Sequence, residues 1–434
     1  MTGRPAPGSA PPGVEPSTWA LLRAVAAHGL AGAPTIPTNP TIPTAPTTRT
    51  AATGGDEATS WRRIVRLAEQ QRILGLLVAA VGDGALELGD AARHELAASH
   101  EAWCAHDLRL ERLLVEADVA LDEAGIAHLV TKGPALAHRI YADPGHRLFA
   151  DLDLIVPSGQ VRAATEALVT ALGATVALGE VRPGFDERFG KETLLRTPPT
   201  RGAPAGLEID LHRTPVAGAL GLAIPLEELF DRPDDLVVAG RHLPTPGPAA
   251  SLLLTAYQAS VADIPPRLGA RRDLVQMLVG PTGTGPPLDP SGAATVLAMA
   301  DRWQASAVLA LAVTEAWAVL DVDPPGTDRP GAARLVAWAH TRRPSMAERV
   351  LLDAHRRPGY VYWRQLAGVA VLPGVTDRAQ YLRALVSPQS GYLAERSWSL
   401  GRHLRRAVRT VDAPVRNRLV AWGRRLGRRS GLRG

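Results

Sequence analysis

Two short stretches hold the side chains best placed to do chemistry: RLFADLDLIV (147–156) and LEIDLHR (207–213). In the first, Asp151 and Asp153 alternate with Leu152 and Leu154. A strand sends successive side chains to opposite faces, so both carboxylates share one face and both leucines the other. The second stretch alternates in the same way, with Leu207, Ile209 and Leu211 against Glu208, Asp210 and His212. If the two strands pair, Asp210 becomes a third carboxylate beside the first two. Asp is a poor strand former, and like charges held together repel unless a cation lies between them. A pair of Mg²⁺ ions would serve, because hard cations take oxygen ligands and Mg²⁺ is commonly held by carboxylates together with substrate phosphates.

Each of these residues also has a plainer reading. An Asp-x-Asp pair standing alone usually marks an exposed edge or turn, and Asp210 alone would be a solvated strand residue. For His212, hydrogen bonding to substrate or within the fold outweighs metal ligation, since imidazole is not a favoured Mg²⁺ partner. Only two lysines occur in the chain, Lys132 and Lys191, and both fall near the carboxylates. Lys132 either contacts phosphate or lies exposed. Arg147 either neutralises phosphate or pairs with Asp143 or Asp151 to hold its loop. Lys191 and Glu192 read as a strand-end charge pair, and Cys104 as an inert, partly buried thiol. His128, His138 and His146 show no metal-ligand spacing. Because the acids repel one another, Asp153→Asn is expected to leave thermal unfolding unchanged or slightly improved.

Helices and strands must position these groups. Residues 17–30 pattern as a short amphipathic helix capped by Ser17 or Thr18. Pro34, Pro37, Pro40, Pro43 and Pro46 recur every third residue, the polyproline II repeat of an extended linker. Helical spacing runs from about Ala58 to Glu123, its last member a long helix over 92–124 stopped by Gly125. From Ile126 to about Leu243 the pattern mixes: a strand at IAHLVT, a helix at KGPALAHRIYA with Pro134 in its first turn, a strand at ADLDLIVP, a helix after Ser158, and strands at ETLLRT and LEIDLHR. Strands with a few helices imply an α/β or α+β core. Residues 248–386 read as helical, including a buried helix at 305–320. The expected divisions are 1–55 (short helix and Pro/Thr-rich linker), 56–125 (helical), 126–245 (mixed core), 246–386 (helical) and 387–434 (basic tail).

Composition bounds the class. The 434 residues are 46% apolar and contain one cysteine, which excludes an internal disulfide framework and fits a reducing cytoplasm. No basic-then-apolar leader opens the chain, and no segment offers ~18 uninterrupted apolar residues for a membrane span. Charge is uneven: residues 401–434 hold eleven Arg against one acid, Asp412, while the rest carries 37 bases against 42 acids. The tail therefore suits an anionic partner, either a membrane surface, which would make the protein peripheral, or nucleic acid. A disordered, solubilising end is the plainer reading.

The order KGPAL, YADPGHRLFADLDLIV, EIDLHR resembles the uncharacterised bacterial nucleotidyltransferase family of the polymerase-β-like superfamily. The likeness extends to WRRIVRLAEQQRILGLL upstream and to LLLTAYQASVADIPPRLGARRDLVQML downstream, about residues 58–280. The resemblance implies an α+β fold: a small mixed sheet of nucleotidyltransferase type flanked by helices, with helical N- and C-terminal regions. It implies an NTP substrate and two Mg²⁺ ions held by Asp151, Asp153 and Asp210, with Asp210 also helping to deprotonate the acceptor. Gly133 would let the backbone approach the triphosphate at a helix N-terminus, and Lys132, Arg147 and His212 would contact the nucleotide. The implied reaction moves a nucleoside monophosphate to an unidentified acceptor (small molecule, peptide, protein or RNA) and releases pyrophosphate. One departure stands out: Pro134 occupies a position usually taken by Ser or Gly, and it has no N–H to offer a phosphate. That departure keeps open a non-catalytic, nucleotidyltransferase-like binding module in a biosynthetic or toxin system. The basic tail keeps open a membrane-recruited accessory protein.

Overall fold

Leu152 and Leu154, with Ile209 and Leu211, are fully buried in one cluster, so the two alternating stretches are strands that share an apolar face. The computed structural model describes residues 8–37, 54–178, 189–280 and 288–386, apart from positions 31, 324, 357–364 and 373, and a few positions between 393 and 405. Most of the Pro-rich repeat and most of the basic tail lie outside the described residues.

Four helices precede the sheet: α1 (Pro16–Ala27), α2 (Gly54–Gln70), α3 (Leu74–Gly82) and α4 (Asp90–Glu123). Neither Ser17 nor Thr18 caps α1. Pro16 is its first residue and Glu15 makes no side-chain cap bond, because proline's fixed φ and missing N–H already suit the first turn. The 34 residues of α4 span about 50 Å. They end at Gly125, whose φ of +66° is the left-handed stop expected there.

The sheet has five strands, β1 (Leu129–Thr131), β2 (Leu152–Ile155), β3 (Thr175–Leu178), β4 (Glu192–Arg196) and β5 (Glu208–His212), in the order β1-β2-β5-β4-β3. Only β2 and β5 are parallel. Helix α5 (Gly133–Ile140) follows β1, and α6 (Val161–Leu172) follows β2 and packs with α4 over the apolar face. Two features escape the sequence pattern: β3, and a separate hairpin of β6 (Asp234–Val238) and β7 (Arg241–Thr245). Thr245 anchors that hairpin by donating to the Val130 carbonyl at 2.8 Å.

Beyond the hairpin the chain is helical: α7 (Pro248–Tyr257), α8 (Leu268–Val279), α9 (Pro290–Arg302), α10 (Ser306–Leu320), α11 (Pro330–Thr341) and α12 (Met346–Arg356). As expected, α10 is buried, and its Glu315 is paired with Arg356 at 2.8 Å. The N-terminal helices and these C-terminal helices share one core, while the sheet and the second half of α4 share another. The α+β architecture thus matches the expectation, with the small mixed sheet held between helices from both ends of the chain. Among the described residues, no helix is long and apolar enough to cross a membrane.

Candidate active site

Parallel pairing of β2 with β5 sets the register Asp153↔Asp210, so two carboxylates stand side by side on the sheet face opposite the leucines. The neighbouring antiparallel strand puts Glu192 across from His212. Asp153, Asp210 and His212 offer ligand atoms that all lie within 4.8 Å of one another. Asp151 precedes the strand and stands outside that group. It lines the same cavity, which holds about 710 Å³ and also takes in Asp153, Asp210, Lys132 and Gly133. That volume falls within the range of small-molecule sites.

The charges divide into paired and unpaired. Lys132 Nζ bonds Asp153 Oδ1, and His212 Nε2 meets the same oxygen at 2.6 Å. On its other side His212 Nδ1 faces Glu192 Oε2 at 3.1 Å, and Lys191 Nζ reaches that oxygen at 2.5 Å. Neither approach has the angle of a directed hydrogen bond. The carboxylates of Asp151 and Asp210, by contrast, take no hydrogen bond or ion pair among the described residues.

Their titration follows from this. Burial pushes Asp153 up, but Lys132 and His212 outweigh it and hold the carboxyl well below the usual range. Glu192 is likewise driven up by burial yet held down at about 2 by His212 and Lys191. Asp210 has no such help: burial, then the charges of Glu192 and Asp153, push it up to about 6. Burial and the Asp153 charge raise Asp151 in the same way. Crowded, unneutralised carboxylates opening on a cavity are a donor set that fits a hard divalent cation.

Several sequence expectations change here. His212 is fully buried behind Asp153, does not line the cavity, and meets the Asp153 carboxylate. Arg147 pairs with neither Asp143 nor Asp151. Its Nε donates to both oxygens of Asp273 at 2.8 and 2.9 Å, and Tyr141 donates to the same acid at 2.7 Å. Although Arg147 reaches the cavity wall, its guanidinium is committed to holding the loop. Gly133 is required by packing, since a Cβ there would meet Phe149 at 2.7 Å. Lys132 is neither exposed nor free: it is the counter-ion of Asp153, and its backbone adopts φ +54°, a conformation that favours glycine. Burial works against its charge, but Asp153 more than compensates and raises its proton affinity. Asp153→Asn would remove the countercharge of this half-buried cation and cost about 1–3 kcal/mol of stability, the reverse of the effect expected from repulsion alone. Lys191 and Glu192 do form their pair, which extends to His212.

No curated protein matches the chain. Among the solved structures that match, two show the following weak likeness. The antibiotic-resistance factor ANT(2'')-Ia aligns at 19% identity and a TM-score of 0.30, over 46% of this chain and 95% of its own. An antigenic nucleotidyltransferase-like protein from Paracoccidioides brasiliensis aligns at 16% identity and a TM-score of 0.27, over 45% of this chain and 93% of its own. Similarity at that level carries no inference about chemistry. The sequence itself is decisive: residues 57–314, more than half of the chain and all of the sheet, match the profile described as "Uncharacterised nucleotidyltransferase", and the chain belongs to that family.

Proposed function

We propose that the protein is a Mg²⁺-dependent nucleotidyltransferase that moves a nucleoside monophosphate from an NTP to an acceptor and releases pyrophosphate. The observation that carries this reading is the Asp153–Asp210 pair, fixed by strand register and open to a cavity large enough for a nucleotide. Asp151, Asp153 and Asp210 are the residues assigned to hold the cations. Two bound cations would neutralise the attacking and leaving oxygens of an in-line displacement. His212 and Lys132 fix the orientation of the Asp153 carboxylate through Oδ1. Glu192 in turn holds His212 from behind. Asp210, with its raised proton affinity, is assigned to draw the proton from the acceptor. Since a proton and a cation compete for its carboxylate, cation affinity falls as pH drops through about 6.

The alternative, a binding module without catalysis, is favoured by one feature: Pro134, in the first turn of α5, removes one amide from the helix end that faces the cavity. Calorimetric titration with each NTP, with and without MgCl₂, combined with a pyrophosphate-release assay in native lysate, separates the two readings. Metal-dependent nucleotide binding with pyrophosphate release is the expected outcome. Nucleotide binding without release favours the module. No binding of any NTP removes the enzyme reading and also favours the module.

A further inference from the structure

Six cationic side chains line the cavity: Arg72, Lys132, Arg139, Arg147, Lys191 and Arg267. Five are committed to acids: Lys132 to Asp153, Arg139 to Asp234, Arg147 to Asp273, Lys191 to Glu192 and Arg267 to Asp263. The Arg72 guanidinium has no hydrogen bond or ion pair with any described residue; only the backbone N–H of Arg72 donates, to the Glu69 carbonyl at 3.0 Å. A partly buried guanidinium with five N–H donors and no acceptor is costly unless something supplies the acceptor.

Its placement is built, not incidental. Arg72 occupies the turn between α2 and α3, with φ +58°, where glycine would be less strained. The turn is seated against the start of α8: Leu268 N donates to Gln71 Oε1 at 3.0 Å and Gly269 N to the Gln71 carbonyl at 2.9 Å. A Cβ at Gly269 would meet the Arg72 carbonyl at 2.7 Å, so this helix start accepts the turn only because it lacks a side chain. The guanidinium then lies over the Trp103 ring, 5.2 Å from its centroid, which fixes its plane. Its surroundings disfavour its charge. Burial and then Arg267 weaken its hold on its proton, Arg147 adds to this, and Asp151 and Asp107 act the other way. An anion entering among these arginines relieves the repulsion.

We propose that Arg72 is the anion-binding residue of the cavity and receives the phosphate chain of the nucleotide donor near Asp151. The planar fork suits bidentate recognition of phosphate oxygens. The identity of the ligand rests on the nucleotidyltransferase reading; the existence of the anion site does not. It also gives the helical N-terminal region a direct part in binding, and it supplies a phosphate contact that Pro134 cannot.

The test is titration of the full-length protein with inorganic tripolyphosphate in MgCl₂, comparing the parent with Arg72→Gln and Arg72→Lys. Arg72→Gln should weaken tripolyphosphate binding by about 10- to 100-fold, the range for loss of a charge-assisted contact. Arg72→Lys, which keeps the charge and loses the fork, should weaken it only several-fold. Unfolding midpoints within error of the parent show that the loss is not a folding defect, and Arg72→Lys decides the matter if Arg72→Gln does not fold. A parent that binds no tripolyphosphate, or variants that bind it as the parent does, overturns the inference. Arg72-dependent binding without pyrophosphate release from any NTP keeps the inference and removes the nucleotidyltransferase reading. Turnover with an unchanged KM for NTP in Arg72→Gln does the opposite.

Discussion

Two clusters in this molecule draw on the same inventory of two aspartates and a histidine. One is Asp153, Asp210 and His212 on the sheet; the other is Asp118, Asp122 and His128, where the end of α4 meets the start of β1. In the second cluster the acids are spoken for. His128 Nε2 meets Asp118 Oδ1 at 2.8 Å, and Arg241 donates to the other oxygen of Asp118 and, at 3.0 Å, to Asp122. The group ties α4, β1 and β7 together and does not line the cavity. In the first cluster a lysine and a histidine satisfy Asp153 alone, and Asp210 is left crowded by like charges. Residue types therefore do not separate a strut from a site. Residual charge and access do.

The sharpest way to break this contrast is to substitute one acid in each cluster. Asp210→Asn should lower pyrophosphate release by roughly 10³-fold, about 4 kcal/mol of lost transition-state stabilisation, with a denaturant midpoint equal to or above the parent's. Asp118→Ala should do the reverse. It strands a buried imidazole and an arginine at once, costing about 3 kcal/mol in urea unfolding, while turnover per folded molecule stays within about two-fold of the parent. Loss of turnover without loss of stability in Asp118→Ala would make the second cluster a site after all.

How much of this contrast was legible beforehand depends on sequence distance. The alternation in DLDL and EIDL exposed the acidic face, because period two is a local property and the buried leucines mark the other side. The α+β class followed from the same patterning. The partners were not legible. Arg147 meets Asp273, 126 residues away in sequence, and no local pattern points there. His128 fits no metal spacing in the sequence because its acids lie on the last turns of α4 and only the reversal at Gly125 folds it back beside them. The β6–β7 hairpin was hidden by Pro244 and by the adjacent Asp234 and Asp235, residues that ordinarily argue against a strand. Gly133 was read as a phosphate-approach glycine, and only its three-dimensional neighbour Phe149 shows the packing demand. Arg72 carries no signal in the sequence, because one arginine just past an amphipathic helix is ordinary; it stands out only where the other five cations of the cavity are paired.

A smaller effect sharpens the difference in residual charge. Asp210 titrates near 3.8 when unfolded and at about 6 when folded, so between those values the folded chain binds more protons. Stability from this group is therefore greatest at the acid end of the window and declines as pH rises from about 4 to about 6. Partial exposure screens the effect to about 1–2 kcal/mol. Glu192 runs the other way: its folded value of about 2 lies below its unfolded 4.5, so its contribution is present above 4.5 and lost as pH falls toward 2. Urea midpoints measured between pH 4.5 and 7 should thus fall with rising pH in the parent and fall less steeply in Asp210→Asn, the remaining slope coming from Asp107, which burial pushes up to about 8, and from Asp151. MgCl₂ should flatten them too, because the cation replaces the proton. A parent profile identical to that of Asp210→Asn would mean that the crowding is already neutralised and that the two clusters do not differ.

The smallest expected effect concerns how each cluster obtains its cation. Arg241 reaches the strut from the first residue of a strand, whereas Lys132 reaches Asp153 from a backbone held at φ +54° and ψ −119°. At an ordinary position glycine is less stable than alanine by about 0.5–1 kcal/mol. At a left-handed position a Cβ costs about 1–2 kcal/mol, which reverses the order. Lys132→Ala and Lys132→Gly lose the same charge and the same stem, so they differ only in that Cβ. Lys132→Gly should therefore unfold at higher urea than Lys132→Ala, by roughly 0.5–1 kcal/mol, while both remain below the parent and both lose turnover. The usual order, alanine above glycine, would show that residue 132 is relaxed in solution. Lysine would then sit there without backbone cost, and the site would be no more strained than the strut.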